Sequence, residues 1–127
     1  MQGPQISPAE QEILETLWAL GGNSLFSPIM ERLEAAGREW KTNTVLTFLA
    51  RLAEKGLVRV EKRGRNNEYI ALYSKEQYQT HQANALVEDV FQGNAKNLVA
   101  ALLQHNSLTQ ADMDELTAYW KKRRETQ

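Results

Sequence analysis

The chain has 127 residues, a formal net charge of −1, 42% hydrophobic residues and no cysteine. This composition is typical of a compact domain, alone or with a small appendage, and it excludes a disordered chain. The absence of cysteine excludes disulfides, thiol chemistry and every metal site that needs a thiolate.

The charge is unevenly distributed along the chain. Residues 9–34 contain five glutamates and one arginine, a net charge of −4. Residues 38–65 contain eight lysines or arginines and three glutamates, a net charge of +5. A basic zone in a neutral chain indicates a face that meets a polyanion, with scattered solvated charges as the alternative.

The first predicted helix begins at Ser7 and Pro8, near the N-terminus. Ser7 can cap the helix, Pro8 suits its first position, and Glu10 completes a capping box. Its buried stripe is Ile13, Leu14, Leu17 and Trp18, and Gly21-Gly22 ends it. The opening residues, MQGPQISPAEQ, lack the basic and apolar regions of a signal peptide, and no apolar run approaches the roughly 20 residues of a membrane span. We therefore expect a cytoplasmic protein.

A second helix is predicted from the repeated Ser-Pro signal at Ser27 and Pro28. Its inward residues are Ile29, Met30 and Leu33, and Gly37 ends it.

The stretch KTNTVLTFLARLAEKG, Lys41 to Gly56, predicts a third helix with two different faces. Val45, Leu49 and Leu52 recur at helical spacing and indicate a buried side. Phe48 lies at the edge between the faces and is interpreted as a core residue. The opposite side carries no acid and holds Thr44, Thr47, Arg51 and Lys55.

After Gly56 the pattern changes to the alternation of β-strands. The stretch LVRVEKRGRNNEYIALY predicts a β-hairpin whose tip is Arg63 to Asn67. Gly64 tolerates the positive φ that such a turn often needs. Three helices followed by a hairpin is the order of a winged helix-turn-helix. The predicted fold is therefore mostly α with a small β-hairpin wing.

The remainder of the chain is predicted to be helical, with capping boxes at Ser74/Gln77 and Thr109/Asp112. About fifty residues bury their apolar faces poorly alone, so we expect this tail to pack on a second copy of itself. The sequence thus predicts a winged-helix DNA-binding domain at 1–73 and a helical dimerisation domain at 74–127. The expected dimerisation residues are Leu86, Val90, Phe91, Leu98, Val99, Leu102, Leu103, Leu116 and Trp120. For the stripe from Leu86 to Leu103, lining a small-molecule pocket is the alternative.

The polar face of the third helix fits a task in the DNA major groove. Arg51 can offer a bidentate fork to guanine or phosphate, and Asn43 can do the equivalent for adenine. Lys55 more plausibly meets the phosphate backbone. The alternative is a merely solvated helix face beside a charged turn. The predicted DNA-binding residues are Lys41, Asn43, Thr44, Thr47, Arg51 and Lys55 on the helix, and Arg63, Arg65 and Asn66 on the wing.

These residues carry a resemblance to the penicillinase-repressor family, the BlaI/MecI type of transcriptional regulator. The ordered motif covers Trp40, Thr44, Val45, Thr47, Leu49, Arg51, Leu52, Lys55, Gly56, Gly64, Arg65 and Tyr69. The opening ISPAEQEILETLW and the tail segments GNAKNLV and LTQADMDEL also resemble the family.

The resemblance implies a bacterial homodimeric repressor that reads a palindromic, double-stranded DNA operator. It further implies control of β-lactam resistance or stress genes. In the best-known members a membrane sensor-protease pathway cleaves the dimerisation region at an Asn-Phe pair. By alignment that position is Ala101-Leu102 here, which departs from the family pattern. A related branch that senses copper through cysteines is excluded, because the chain has none.

The sequence gives less support to an enzymatic or metal-binding function. His81 and His105 fall on different predicted helices, and no catalytic triad order, phosphate-binding loop or metal motif is present. We therefore expect no enzyme activity, no metal and no cofactor. Two alternatives to the repressor remain: a winged-helix adaptor that binds protein instead of DNA, and a ligand-sensing regulator that shares the DNA-binding half.

Overall fold

A computed structural model describes residues 5–125; residues 1–4 and 126–127, the outer ends of the two predicted domains, lie outside the described residues. Two compact units meet between Asn84 and Ala85, within one helix. The elements in chain order are α1 (Pro8–Ala19), β1 (Asn23–Leu25), α2 (Phe26–Ala35), α3 (Thr42–Glu54), β2 (Val58–Arg63), β3 (Asn66–Ala71), α4 (Lys75–Phe91), α5 (Ala95–Gln104) and α6 (Gln110–Glu125).

Helix α1 begins with the predicted capping box. The Glu10 amide donates to Ser7 Oγ at 3.1 Å, and the Ser7 amide donates to Glu10 Oε1 at 3.0 Å. Two otherwise orphan amides of the first turn are thereby satisfied. The apolar stripe is buried as predicted, with Ile13, Leu14 and Leu17 in the core.

The predicted start of α2 is wrong by two residues. Leu25 is the N-cap residue and makes no side-chain capping bond, while Ser27 and Pro28 lie inside the first turn. The cause is the short strand β1, which the sequence patterns did not predict and which leads directly into α2. The predicted end is confirmed, since Gly37 adopts φ +87° and its amide donates to the Glu34 carbonyl at 3.0 Å.

The sheet is antiparallel with strand order β1-β3-β2. Its hairpin turn is narrower than predicted. Arg63 pairs with Asn66 in the β2–β3 ladder, so only Gly64 and Arg65 form the turn. Gly64 carries φ +63°, the positive value that the first central position of a type II′ turn requires. Asn67, expected at the tip, pairs with Lys62 inside the ladder.

The core of the first unit lies between α1, α2, α3 and the inner face of the sheet. The predicted buried face of α3 is confirmed, because Val45, Leu49 and Leu52 are almost inaccessible. Val58 of β2 and Tyr69 of β3 are buried against them. The predicted class, a winged helix-turn-helix of mostly α structure, is confirmed, with three strands rather than a two-stranded hairpin.

The first turn of α4 is attached to α1. Ser74 and Gln77 form the predicted capping box, with bonds of 2.8 and 3.0 Å. Trp18 Nε1 donates to the Tyr73 carbonyl at 2.9 Å, and the rings of Trp18 and Tyr78 lie 5.6 Å apart. Burial raises the pKa of the Tyr78 hydroxyl above its usual range. These contacts fix where α4 leaves the winged-helix unit.

The second unit contains the end of α4 with α5 and α6. The turns between these helices use left-handed residues, with φ +49° at Gln92, +81° at Gly93 and +59° at Asn106. Thr109 and Asp112 form the predicted capping box of α6, each bond 3.0 Å long. From Ala85 to Glu125, no residue is buried within the single chain. None of the helices described is long and apolar enough to cross a membrane.

Candidate nucleic-acid interface

The segment between α2 and α3 is held by an arginine and two aromatic rings. Arg38 donates both arms of its guanidinium to the Glu12 carboxylate and lies 5.4 Å above the Trp40 ring. The Trp40 ring meets Phe48 edge-on, with 5.4 Å between centroids. Phe48 is half-buried against the core, which confirms its interpretation as a core residue. Together these contacts join the segment before α3 to α1 and to α3 itself.

The exposed side of α3 is an arc opposite its buried stripe. At about 100° per residue, the arc runs from Leu46 through Asn43 and Thr47 to Arg51, about 140° of the helix surface. All four of these residues are exposed. Of the predicted helix contacts, Asn43, Thr47 and Arg51 share this side. Thr44 and Lys55 are half-buried, and Lys41 and Lys55 are the N-cap and C-cap residues.

Two members of the exposed surface were missed by sequence reasoning. Glu54 is exposed in the last turn of α3, so this side carries an acid at its C-terminal end. Leu46 is 38% exposed and does not belong to the core cluster. Their helical positions, roughly 90° to 180° from the buried stripe, are the signal that could have placed both of them.

Thr47 uses its hydroxyl within the helix. Its Oγ1 donates to the Asn43 carbonyl at 2.9 Å. The hydroxyl proton is therefore committed, while its lone pairs and the methyl group remain for contacts outside the helix.

Lys55 has a partner within the winged-helix unit. Its Nζ lies 2.7 Å from Glu10 Oε1, and the Glu10 side chain is only 2% exposed. Burial raises the pKa of Glu10, but the hydrogen bonds from Lys55 and the Ser7 amide, with the charges of Lys55 and Arg51, outweigh it. The pKa of Glu10 is therefore below its ordinary value. A contact between Lys55 and phosphate stays a prediction, and it would compete with this pair.

The cations of the wing differ in their surroundings. Arg63 Nε lies 2.8 Å from Glu68 Oε1, and its Nη2 lies 3.1 Å from Glu61 Oε1. Arg59 is also paired, at 2.8 Å from Glu61. Arg65, in the turn, is exposed, and no carboxylate described in residues 5–125 lies within ion-pair distance of it. Arg65 is therefore the wing arginine whose charge is available to an anion.

The expected dimerisation residues lie on the three helices of the second unit. Leu86, Val90 and Phe91 are on α4, Leu116 and Trp120 are on α6, and the others are on α5. Most are exposed, and Phe91 and Leu98 are half-buried. Ala101 and Leu102, the position aligned with family cleavage, lie inside α5 and are exposed. Across residues 5–125, no three metal-binding side chains cluster.

Comparison with known proteins gives one consistent family. The penicillinase repressor family model matches residues 6–122. The penicillinase repressor of Bacillus licheniformis is 26% identical over 113 residues, which cover 89% of this chain and 87% of that protein. The methicillin resistance regulatory protein MecI of Mammaliicoccus sciuri is 25% identical over 112 residues, covering 88% and 89%.

The solution structure of the DNA binding domain of the repressor BlaI matches the fold. It is 29% identical, with a TM-score of 0.52, and the match covers 61% of this chain and 94% of that chain. The family consists of transcriptional repressors and not of enzymes. With a family match that spans nearly all of its length, the chain belongs to the penicillinase repressor family.

Proposed function

We propose that this chain is a cytoplasmic, homodimeric transcriptional repressor that binds a palindromic DNA operator through α3 and the wing. The observation that carries the proposal is the exposed arc of α3 ending at Arg51, on a domain similar to the DNA binding domain of BlaI. In a helix-turn-helix this helix enters the major groove, and its exposed side chains meet base edges and phosphates.

The side chains of the arc suit different parts of the groove. Arg51 presents the planar fork that matches guanine or a phosphate, and Asn43 can pair with adenine. Thr47 is short enough to let the helix approach closely. At the wing, Arg65 is an exposed arginine with no carboxylate partner among the described residues, and it can follow the phosphate backbone or enter the minor groove.

The dimer is supported by the second unit. Residues 85–125 carry many apolar side chains and bury none of them within one chain. An exposed apolar surface of this extent on three helices needs a partner. A second copy of the chain carries the same surface, and the two can pack together in a symmetric dimer. Two copies also present two α3 helices, as a palindrome requires.

The proposed regulated genes are supported by the names of two relatives, and the proposed mode of release rests on the family resemblance. Two of them are named for penicillinase and for methicillin resistance, so genes of β-lactam resistance or of another stress response are the proposed targets. Release by a membrane sensor-protease pathway at Ala101-Leu102 would first require α5 to open, because both residues lie within that helix.

Selection from a random pool of DNA duplexes tests the proposal. We would recover bound sequences at about 150 mM salt, which weakens binding to phosphates alone. An enriched sequence with two-fold symmetry is expected. Failure to enrich any sequence, with the protein folded and dimeric, would contradict the proposal and make the arc of α3 a protein-docking surface.

A further inference from the structure

The exposed arc of α3 contains one large apolar side chain, Leu46. On the same helix Val45, Leu49 and Leu52 are at most 1% exposed, whereas Leu46 is 38% exposed and is not a member of the core cluster. By helix geometry its surface neighbours are Asn43, one turn before, and Ala50, one turn after, both of which are exposed.

Leu46 lies at one edge of the exposed arc of α3, and Arg51 lies at the other. Asn43 and Thr47 lie between them. Leu46 is also in the N-terminal half of α3, the part that meets base edges when such a helix enters the major groove. It therefore faces a different base pair from the one that Arg51 meets.

A leucine has no hydrogen-bonding group, so it can recognise only apolar surface. The largest apolar group in the major groove is the C5-methyl of thymine. We propose that Leu46 is a specificity-determining residue that packs on a thymine methyl group in each operator half-site. The inference rests on the proposed function and adds to it a residue and the chemical group that the residue reads.

The proposal distinguishes Leu46 from the other exposed leucines. Leu25 has the same exposure, 38%, but it lies on β1 and precedes α2. Leucines on α4 to α6 belong to the proposed dimer surface. Leu46 is the exposed leucine of α3 among the residues described, and α3 is the helix proposed to enter the groove.

Replacement of thymine by uracil removes the methyl group and changes no hydrogen bond. We would take the selected operator, replace each thymine of one half-site in turn by deoxyuridine, and measure the dissociation constant of each duplex. For the unaltered protein, one replacement is expected to weaken binding about fourfold, the effect of leaving one methyl group unburied.

The variant Leu46→Ala assigns that effect to the residue. It should bind the unmodified operator more weakly and show no further loss at that thymine, while keeping any loss at other thymines. Leu25→Ala is the matched control and should retain the full fourfold dependence. Leu46→Gln, which has a similar helix propensity but ends in a polar amide instead of methyl groups, should also lose the dependence.

Two results would overturn the inference. One is that no replacement by deoxyuridine weakens binding of the operator to the unaltered protein. This result does not depend on the folding of any variant. The other is a thymine dependence that persists in both Leu46→Ala and Leu46→Gln. Either result leaves operator selection intact, whereas failure of the selection itself would contradict the proposed function.

Discussion

Arg51 and Arg65 are both exposed arginines, one on a helix and one in a turn, and the proposed function gives them different roles. Arg51 lies on the side of α3 that would face base edges, so its fork can discriminate bases. Arg65 lies at the end of the hairpin, where a phosphate is the nearer partner. Sequence preference and salt dependence separate these two roles.

Removal of Arg51 should change which sequences bind. We expect Arg51→Ala to weaken binding of the selected operator by about 1–3 kcal/mol and to relax the preference at one base pair of each half-site. A repeated selection with the variant measures both effects. An unchanged sequence preference would show that Arg51 contacts phosphate instead of a base.

Removal of Arg65 should weaken binding to all sequences alike. For Arg65→Ala we expect the slope of log affinity against log salt to become shallower by about 0.9 for each wing in contact with DNA. Titrations of operator and random duplexes at several salt concentrations give the slope.

Arg59→Ala is the control for the wing. Arg59 is on the same hairpin but is paired with Glu61, so its removal should leave the salt slope nearly unchanged. Arg63 must give up two carboxylate partners before it can reach a phosphate, and we expect a smaller slope change for Arg63→Ala than for Arg65→Ala. If the slope of log affinity against log salt were the same for Arg65→Ala and the unaltered protein, Arg65 would not contact the DNA.

At the level of elements, α1 and α3 are joined by the pair of Glu10 and Lys55. Glu10 lies at the N-terminus of α1, and Lys55 is the C-cap residue of α3. The carboxylate is almost fully buried, whereas the Lys55 side chain is 32% exposed. Removal of Lys55 and removal of Glu10 should therefore lower stability by different amounts, because only the Lys55 side chain can turn to water when its partner is lost.

Substitutions of this pair should show that asymmetry. Lys55→Met leaves Glu10 buried without its cation, and we expect about 2 kcal/mol of lost stability, less than for a fully buried pair. Glu10→Gln keeps an acceptor for the Ser7 amide, and a cost of about 1 kcal/mol is expected. Denaturant unfolding of both single variants and the double variant measures the coupling; additive losses would show that the pair contributes nothing.

The same pair has a defined pH dependence. The pKa of Glu10 is lower in the folded chain than its ordinary value of 4.5, so the carboxylate stabilises the fold above about pH 4.5. That stability is lost as the pH falls from about 4.5 through the folded value. The stability difference between the unaltered protein and Glu10→Gln should accordingly shrink on acidification, and a difference that stays constant from pH 7 to pH 3 would contradict the assignment.

The elements also show which features the sequence allowed us to predict. Capping boxes such as Ser7/Glu10 and the buried stripe of α3 were predicted because their partners are within one or two helical turns. Strand β1 was missed because its pairing depends on β3, with Asn23 opposite Ile70 far along the chain. For the same reason the partner of Lys55 was missed, since Glu10 is 45 positions away.

The candidate interface was predictable to a similar degree. Helical periodicity placed Thr44, Thr47, Arg51 and Lys55 on one side of α3, and of these Thr47 and Arg51 are exposed while Thr44 and Lys55 are half-buried. It could not show which wing arginine is neutralised, because Glu61 and Glu68 reach Arg63 through the geometry of the sheet. The two-residue turn at Gly64 likewise depends on the register of the β2–β3 ladder. The asparagine-rich sequence around the turn does not determine that register.

For the whole molecule, the proposed dimer depends on the apolar surface of α4 to α6. Leu102→Asp places a charge in that surface, and we expect the dimer to dissociate because an unpaired carboxylate cannot be buried there without a large cost. Sedimentation velocity measures the change in mass. Operator affinity should then fall roughly 10²-fold or more, because the two half-sites are no longer linked.

Gln104→Asp provides the control for this substitution. Gln104 is exposed in the same turn of α5 but on the side away from Leu98, Leu102 and Leu103. It introduces the same charge and should remain dimeric. If the Leu102→Asp protein were still dimeric, α5 would not be part of the dimer interface.

Residues 85–125, the described part of the second unit, bury no side chain within one chain, and this has a consequence for gene control. If that unit is completed only by its partner, folding and association are one equilibrium. Below the dissociation constant of the dimer, the amount of operator-binding species then varies with the square of the chain concentration. Halving the amount of protein in a cell would reduce operator occupancy about fourfold in that range. Degradation or slower synthesis alone would thus derepress the target genes more steeply than in proportion to the protein lost.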